Sequence, residues 1–156
     1  MTIQAVTTFI ELTSANGAIE GRYQNSRVDS TISYDGKSYS YLGFIYNGAT
    51  KNRTGDNMTS DLALASNRLS MNLVAEAAQK FWTVQVNTVL MHPQTFTPVR
   101  QLSREYWIAS SFSYDTQAVQ LQLSSAIDAV GADAPNRTLL RKYVGALPLT
   151  SQISNR

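Results

Sequence analysis

The stretch Thr31–Gly48, T-I-S-Y-D-G-K-S-Y-S-Y-L-G-F-I-Y-N-G, packs four of the chain's eight tyrosines into one hairpin-shaped segment. Asp35-Gly36 stands at its tip. A two-residue Asp-Gly turn between alternating residues is among the strongest short-range hairpin signals, because both turn residues take positive φ. Tyr34, Tyr39 and Tyr41 carry the period-2 spacing of pleated strands. The segment therefore places the protein in the β-rich class.

Working outward, Ala5–Thr13 reads as a first strand and Asn16-Gly17 as the turn that closes it. Ile19–Val28 is polar and short of core residues. Beyond the hairpin, Ala49–Asp61 is a turn-rich loop pivoting on Gly55-Asp56, and the alternation through Leu62 and Leu64 predicts a strand ending at Ser66. Met71–Lys80, M-N-L-V-A-E-A-A-Q-K, has three alanines and neither Gly nor Pro, with Leu73, Ala77 and Phe81 at i, i+4 and i+8. That pattern predicts a short helix. Phe81–Met91 alternates Trp82, Val84 and Val86 against Thr83, Gln85 and Asn87, the pattern of a strand.

Pro93 and Pro98 bracket a loop, Gln101–Tyr114 is an aromatic-rich strand, and Tyr114-Asp115 marks a second hairpin turn into the alternating strand Ala118–Ser124. Gly131–Asn136 reads as a loop, Thr138–Val144 as helix or strand, and the tail from Pro148 as extended. Strands joined by short turns with one helix predict a mainly β fold, an antiparallel β-barrel or sandwich with one short helical insertion. The domain organisation follows: residues 1–8 as an N-terminal arm, 9–148 as a single β-rich domain, and 149–156 as a C-terminal tail.

Composition bounds the function. The chain has 156 residues, enough for one domain with a substantial core. The apolar fraction of 43% can build that core, but only 15% of residues are charged, against about a quarter in an ordinary globular protein. Ser, Thr, Asn and Gln supply the polarity instead, a neutral surface suited to cover by neighbouring subunits. The 13 basic residues are scattered and the net charge is +2, so the basic stripe that nucleic-acid binding needs is missing. No cysteine occurs, which excludes disulfides, thiolate nucleophiles and thiolate-held metals. The N-terminus carries no signal-peptide pattern and no window approaches the ~18 apolar residues of a membrane helix, so synthesis in a cytoplasm without membrane insertion is expected.

Catalytic signatures are equally scarce. His92 is the single histidine; it precedes Pro93, and the expected role is a solvent-facing loop residue. Asp56 and Asp61 are the nearest carboxylate pair in a loop, but D-N-M-T-S-D lacks the ligand positions of a calcium loop, so turn capping is expected. Glu105 sits in an apolar-leaning strand and is expected to pair with Arg104 or Arg100. The sequons at Asn52, Asn57 and Asn136 carry no meaning without secretion. No catalytic, metal or cofactor residue is assigned. Alternating strand tyrosines read as core-and-rim packing; the competing reading is a carbohydrate-binding β-sandwich with Tyr39, Tyr41, Tyr46 or Trp107 as platforms.

An ordered set of segments resembles a known family. Y-D-G-K-S-Y-S-Y-L-G-F (34–44) is similar to the strand, turn and strand near the start of phage minor tail protein L. A-T-K-N-R-T-G-D-N (49–57) and L-A-L-A-S-N-R (62–68) resemble the Gly-containing loop and Asn-ended strand that follow there. F-W-T-V-Q-V-N-T-V-L-M (81–91) and R-E-Y-W-I-A-S-S-F-S-Y-D (104–115) resemble its paired strands. A-V-Q-L-Q-L-S-S-A-I-D-A-V-G-A-D-A-P-N-R (118–137) is similar to its ending, and the resemblance covers Phe9–Pro148.

The resemblance implies a structural protein of a bacteriophage virion, at the tail tip or baseplate of a long-tailed phage. It implies a ring of three-fold or six-fold symmetry that joins the tail tube to the tip complex. Its partners would be copies of itself and the neighbouring tail hub, distal tail and tape-measure proteins, and its location the virion tail. Longer family members bind an iron–sulfur cluster through a Cys-rich C-terminal region; a chain without cysteine cannot carry that cofactor. Inter-subunit contacts are expected from the Gly48–Ser60 loop and the C-terminal tail.

Overall fold

A computed structural model describes residues 4–48 and 59–125. The turn at Gly55-Asp56, the three sequons, the Gly131–Asn136 loop and the Thr138–Val144 segment lie outside the described residues.

Among the described residues, nine strands and one helix follow in order: β1 Ala5–Thr13, β2 Ile19–Gln24, β3 Ile32–Tyr34, β4 Lys37–Tyr41, β5 Phe44–Tyr46, β6 Thr59–Ala65, α1 Arg68–Gln79, β7 Thr83–Met91, β8 Pro98–Tyr114 and β9 Ala118–Ser124. They form one sheet in the order β3-β4-β2-β1-β7-β8-β9-β6-β5. The mainly β class is as the alternation predicts. β1 starts at Ala5, four residues before Phe9, and its ladder with β7 runs from Ala5–Met91 to Thr13–Thr83.

Chain connectivity curls this sheet into a barrel. β4 and β5 belong to opposite ends of the strand order, yet only Leu42 and Gly43 separate them, and the three steps from Tyr41 to Phe44 reach at most about 11 Å. The two linking residues bridge both sides: Leu42 N–H donates to the Gln24 carbonyl at 3.0 Å, and Ala65 N–H to the Gly43 carbonyl at 3.3 Å. β4 and β5 thus act as one kinked strand that leaves β2 and joins β6.

Residues of one parity fill the interior. Ile10, Leu12, Val84, Val86, Trp107, Ala109, Leu121 and Leu123 are buried in one cluster with Leu62, Leu64 and Phe44. Val74, Ala77, Ala78 and Trp82 from α1 and its C-terminal end join the same cluster. The helix therefore covers the barrel mouth, tied there because it links the end of β6 to the start of β7.

The other parity of β1 and β7 carries a second, smaller core. Phe9, Val89 and Met91 point outward and are covered by Ile32, Tyr34 and Tyr39 of the β3–β4 hairpin. Phe9 stacks on Tyr34 with ring centres 4.8 Å apart and meets Tyr39 edge-on at 4.9 Å. Asp35 and Gly36 both take positive φ, 52° and 72°, as the Asp-Gly signal requires.

Four elements differ from the sequence expectation; the first is β8, which begins at Pro98, three residues before Gln101, so Pro98 opens the strand and does not close a loop. The polar Ile19–Val28 stretch forms β2, because its register places Arg22 opposite Glu11 and Gly21 opposite Leu12, so little apolar side chain is needed. α1 begins at Arg68, three residues before Met71: Asn67 caps it by accepting from Ser70 N–H at 2.8 Å, while Ser70 Oγ accepts from Asn67 N–H at 3.0 Å. β7 begins at Thr83, and Phe81 instead ends the helix with φ 51°.

Candidate functional site

The carboxylates and the histidine do not converge. His92 starts the loop after β7, where its N–H donates to the Thr97 carbonyl at 2.9 Å. Its ring is half-buried, not solvent-facing, and Nδ1 is enclosed without a hydrogen-bond partner. Asp61 lies within β6 with an exposed side chain, so it is a strand residue and caps no turn. Among the described residues no group of three His, Asp or Glu side chains could hold a metal ion.

Glu105 is not paired with Arg104 or Arg100. Its carboxylate accepts from the Tyr46 hydroxyl and, at 3.2 Å, from Trp107 Nε1. Neighbours along a strand point to opposite faces, so Glu105 turns in beside Trp107 while Arg104 turns out. Arg104 reaches Asn87 Oδ1 at 3.0 Å and Asp35 at 3.5 Å. Burial, followed by the Glu105 carboxylate, pushes the Tyr46 hydroxyl well above its usual range, so it stays a donor at any physiological pH.

The strongest charged cluster is one the sequence did not single out. Glu11 is 6% exposed on β1. Arg22 Nε approaches it at 2.6 Å and Lys37 Nζ at 2.9 Å. Burial raises the Glu11 pKa, but the two cations outweigh it and hold the carboxyl below its ordinary value. The triad ties β1, β2 and the tip of the Tyr hairpin together. Tyr39 is pushed up to about 12, first by burial and then by the nearby Glu11 charge. Both oxygens of the Glu11 carboxylate are taken, Oε1 by Lys37 and Oε2 by Arg22 and Lys37.

Of the four aromatic residues considered as saccharide platforms, Tyr39 and Trp107 are 1% and 4% exposed and Tyr46 is half-buried. Only Tyr41 reaches the surface. Burial removes Tyr39 and Trp107 as platforms, whereas Tyr41 is 38% exposed.

What remains is a surface. Phe81 is half-exposed at the helix end, in a groove of about 530 Å³ shared with Ser14, Glu20 and Lys80. An apolar recess of about 400 Å³ lies at the β4–β5 kink, floored by Gly43, Ala63 and Ala65 and rimmed by Tyr41 and Ile45. Phe112 and Tyr114 stack at 6.4 Å near the β8–β9 tip, with Tyr114 66% exposed. Asp115 holds that tip by accepting from the Gln117 and Ala118 N–H groups, both at 2.7 Å.

This fold is similar to that of one chain from the virion of a native gene transfer agent (GTA) particle. The TM-score is 0.54 at 14% identity; the match covers 83% of this chain and 43% of that one. The likeness is one of fold. No protein-family model matches the sequence, and no curated protein matches it.

Proposed function

We propose that the chain is a structural component of a phage-like virion tail, related to the minor tail protein L-like family. In this reading it forms part of the tail-tip or baseplate ring that joins the tail tube to the tip complex. The observation that carries the reading is the fold shared with a chain of a gene transfer agent virion over 83% of this sequence. The ordered segments from Tyr34 to Arg137 that resemble the L family point the same way.

The surface suits assembly. A closed ring needs two different complementary patches on each subunit. Phe81, between α1 and β7, and the Tyr41–Ile45 recess, at the β4–β5 kink beside β6, lie across the barrel in strand order. A projecting aromatic on one copy and an apolar recess on the next fit such a head-to-tail contact. Phe81 also holds a left-handed backbone conformation that a bulky residue rarely adopts, the kind of strain kept where function requires it. Three-fold or six-fold copies, stacked between hub, distal tail and tape-measure proteins, complete the proposal. It contains no catalytic step and no cofactor.

A cryo-EM map of purified particles tests this directly. The expected result is density for this barrel in a ring at the tail end, with Phe81 at a copy-to-copy contact. Particles whose tails contain no such barrel would overturn the reading.

A further inference from the structure

β8 is long because it serves two partners in turn. On one flank β7 pairs with it from Pro98 to Ile108; on the other, β9 pairs with it only from Ile108 to Tyr114. Among the described residues, Pro98–Trp107 therefore has a partner strand on one flank alone. At the usual strand rise that leaves about 30 Å of sheet edge.

The register decides which backbone groups face this edge. Ala109 N–H donates to the Trp82 carbonyl at 2.9 Å, so Ala109 faces the β7 flank. Successive residues of an antiparallel strand present their N–H and C=O groups to opposite flanks. Trp107 and Glu105 thus bond toward β7, while Tyr106 and Arg104 aim theirs at the edge. Proteins blunt such edges with proline, bulges and charge, and the first half is treated that way. Pro98 opens it, Arg100 follows, and the register with β7 skips Val99 and Leu102. From Ser103 to Trp107 the pairing with β7 is regular, and no proline or bulge interrupts it. The charges there are engaged elsewhere, Arg104 with Asn87 and Asp35, Glu105 with Tyr46 and Trp107.

β9 runs straight at this edge. Its Ser124 stands opposite Ile108, and the chain continues to Arg156. Carried on in the same register, Ala126 comes opposite Tyr106 and Asp128 opposite Arg104. The residue types suit that placement. Ile127 keeps the parity of Val119, Leu121 and Leu123, which are buried in the barrel core. Asp128 keeps the parity of exposed Gln120 and Gln122 and sets a carboxylate directly across from Arg104. Arg104 otherwise meets one carboxylate among the described residues, Asp35 at 3.5 Å. Gly131 then ends the run Ala126–Val130.

We infer that residues 126–130 of this chain add as a strand to the β8 edge beside Arg104 and Tyr106, lengthening the β8–β9 ladder. An edge closed in this way is not offered to another chain, which leaves assembly to side-chain surfaces. The inference holds whether or not the tail-ring reading does.

The chain has no cysteine, so a designed pair reports without background. Tyr106 and Ala126 would form a hydrogen-bonded pair with Cα atoms about 5.5 Å apart, a separation that a disulfide spans. Tyr106→Cys with Ala126→Cys in the full chain is expected to oxidise within one molecule and to run as a monomer on a non-reducing gel. Tyr106→Cys with Val130→Cys, out of register, is expected to stay reduced. Hydrogen exchange on the unmodified chain is the second measurement, with the Arg104 and Tyr106 amides expected to be protected like that of Trp107. Asp128→Pro should speed exchange at Arg104 and Tyr106 about tenfold or more and leave Trp107 unchanged. A bridge between two copies would mean that a second molecule supplies the strand, and overturns the inference. So does the absence of any bridge, or rapid exchange at Arg104 and Tyr106 in the unmodified chain.

Discussion

Phe81 shows how a single residue can carry an element boundary. It occupies the position after the helix C-cap, where Trp82 N–H reaches back to the Ala77 carbonyl at 3.0 Å. Glycine is the usual occupant, because left-handed backbone costs other residues about 1–2 kcal/mol. Phe81 takes φ 51° and is 52% exposed, so its ring recovers little by burial. Phe81→Gly is expected to raise unfolding stability by about 1 kcal/mol in a urea titration, while weakening ring assembly if the proposed contact is correct. An unchanged or lowered midpoint would contradict the strain argument.

Glu11 acts at the same scale with the opposite sign. Glu11→Gln leaves Arg22 and Lys37 without their anion and is expected to cost about 1–2 kcal/mol near neutral pH, discounted because both cations are about a third exposed. The folded-state pKa is depressed. The contribution of Glu11 is thus complete above the ordinary carboxylate range and disappears as pH falls through the lower folded value. Unfolding curves of wild type and variant should differ at pH 7 and converge at acid pH; a gap that is constant with pH would rule the ion cluster out.

Among the elements, the Tyr hairpin is a lid over one side of the barrel wall. Tyr39 is fully buried between Phe9 and the sheet, and Tyr34 donates to Gln101 Oε1 at 2.8 Å. Tyr39→Ala should cost about 3 kcal/mol and speed amide exchange first in β3 and β4. Simultaneous loss of protection in β7 would mean the hairpin is not a separate layer. The helix start is a second test. Asn67→Ala removes the acceptor for Ser70 N–H and is expected to cost about 1 kcal/mol by thermal unfolding. These two elements were unequally legible. Asp35-Gly36 announces its turn by composition, whereas the Asn67–Ser70 cap lacks the usual Glu or Gln and left the helix start three residues late.

At the scale of the whole molecule, the barrel leaves a surface of neutral amides and hydroxyls with a few projecting aromatics. If the chain builds a tail ring, deletion of Thr150–Arg156 should leave the barrel folded by circular dichroism yet abolish assembled tails; infectious particles from that mutant would refute it. The sequence alone determined β1 and β9, whose readings as Ala5–Thr13 and Ala118–Ser124 match the observed bounds; in β9 the alternation of buried Val119, Leu121 and Leu123 with exposed Gln120 and Gln122 is the signal. It determined the hairpin as well, because the turn chemistry is local. Tertiary structure decided what depends on distant partners. Glu105 found Tyr46, 59 residues away, in place of an adjacent arginine, and β2 became a strand through Glu11 despite its polarity. The choice of barrel over sandwich rests on Leu42–Gly43 bonding β2 on one side and β6 on the other. No local pattern encodes that, because closure is set by where the far edge of the sheet arrives.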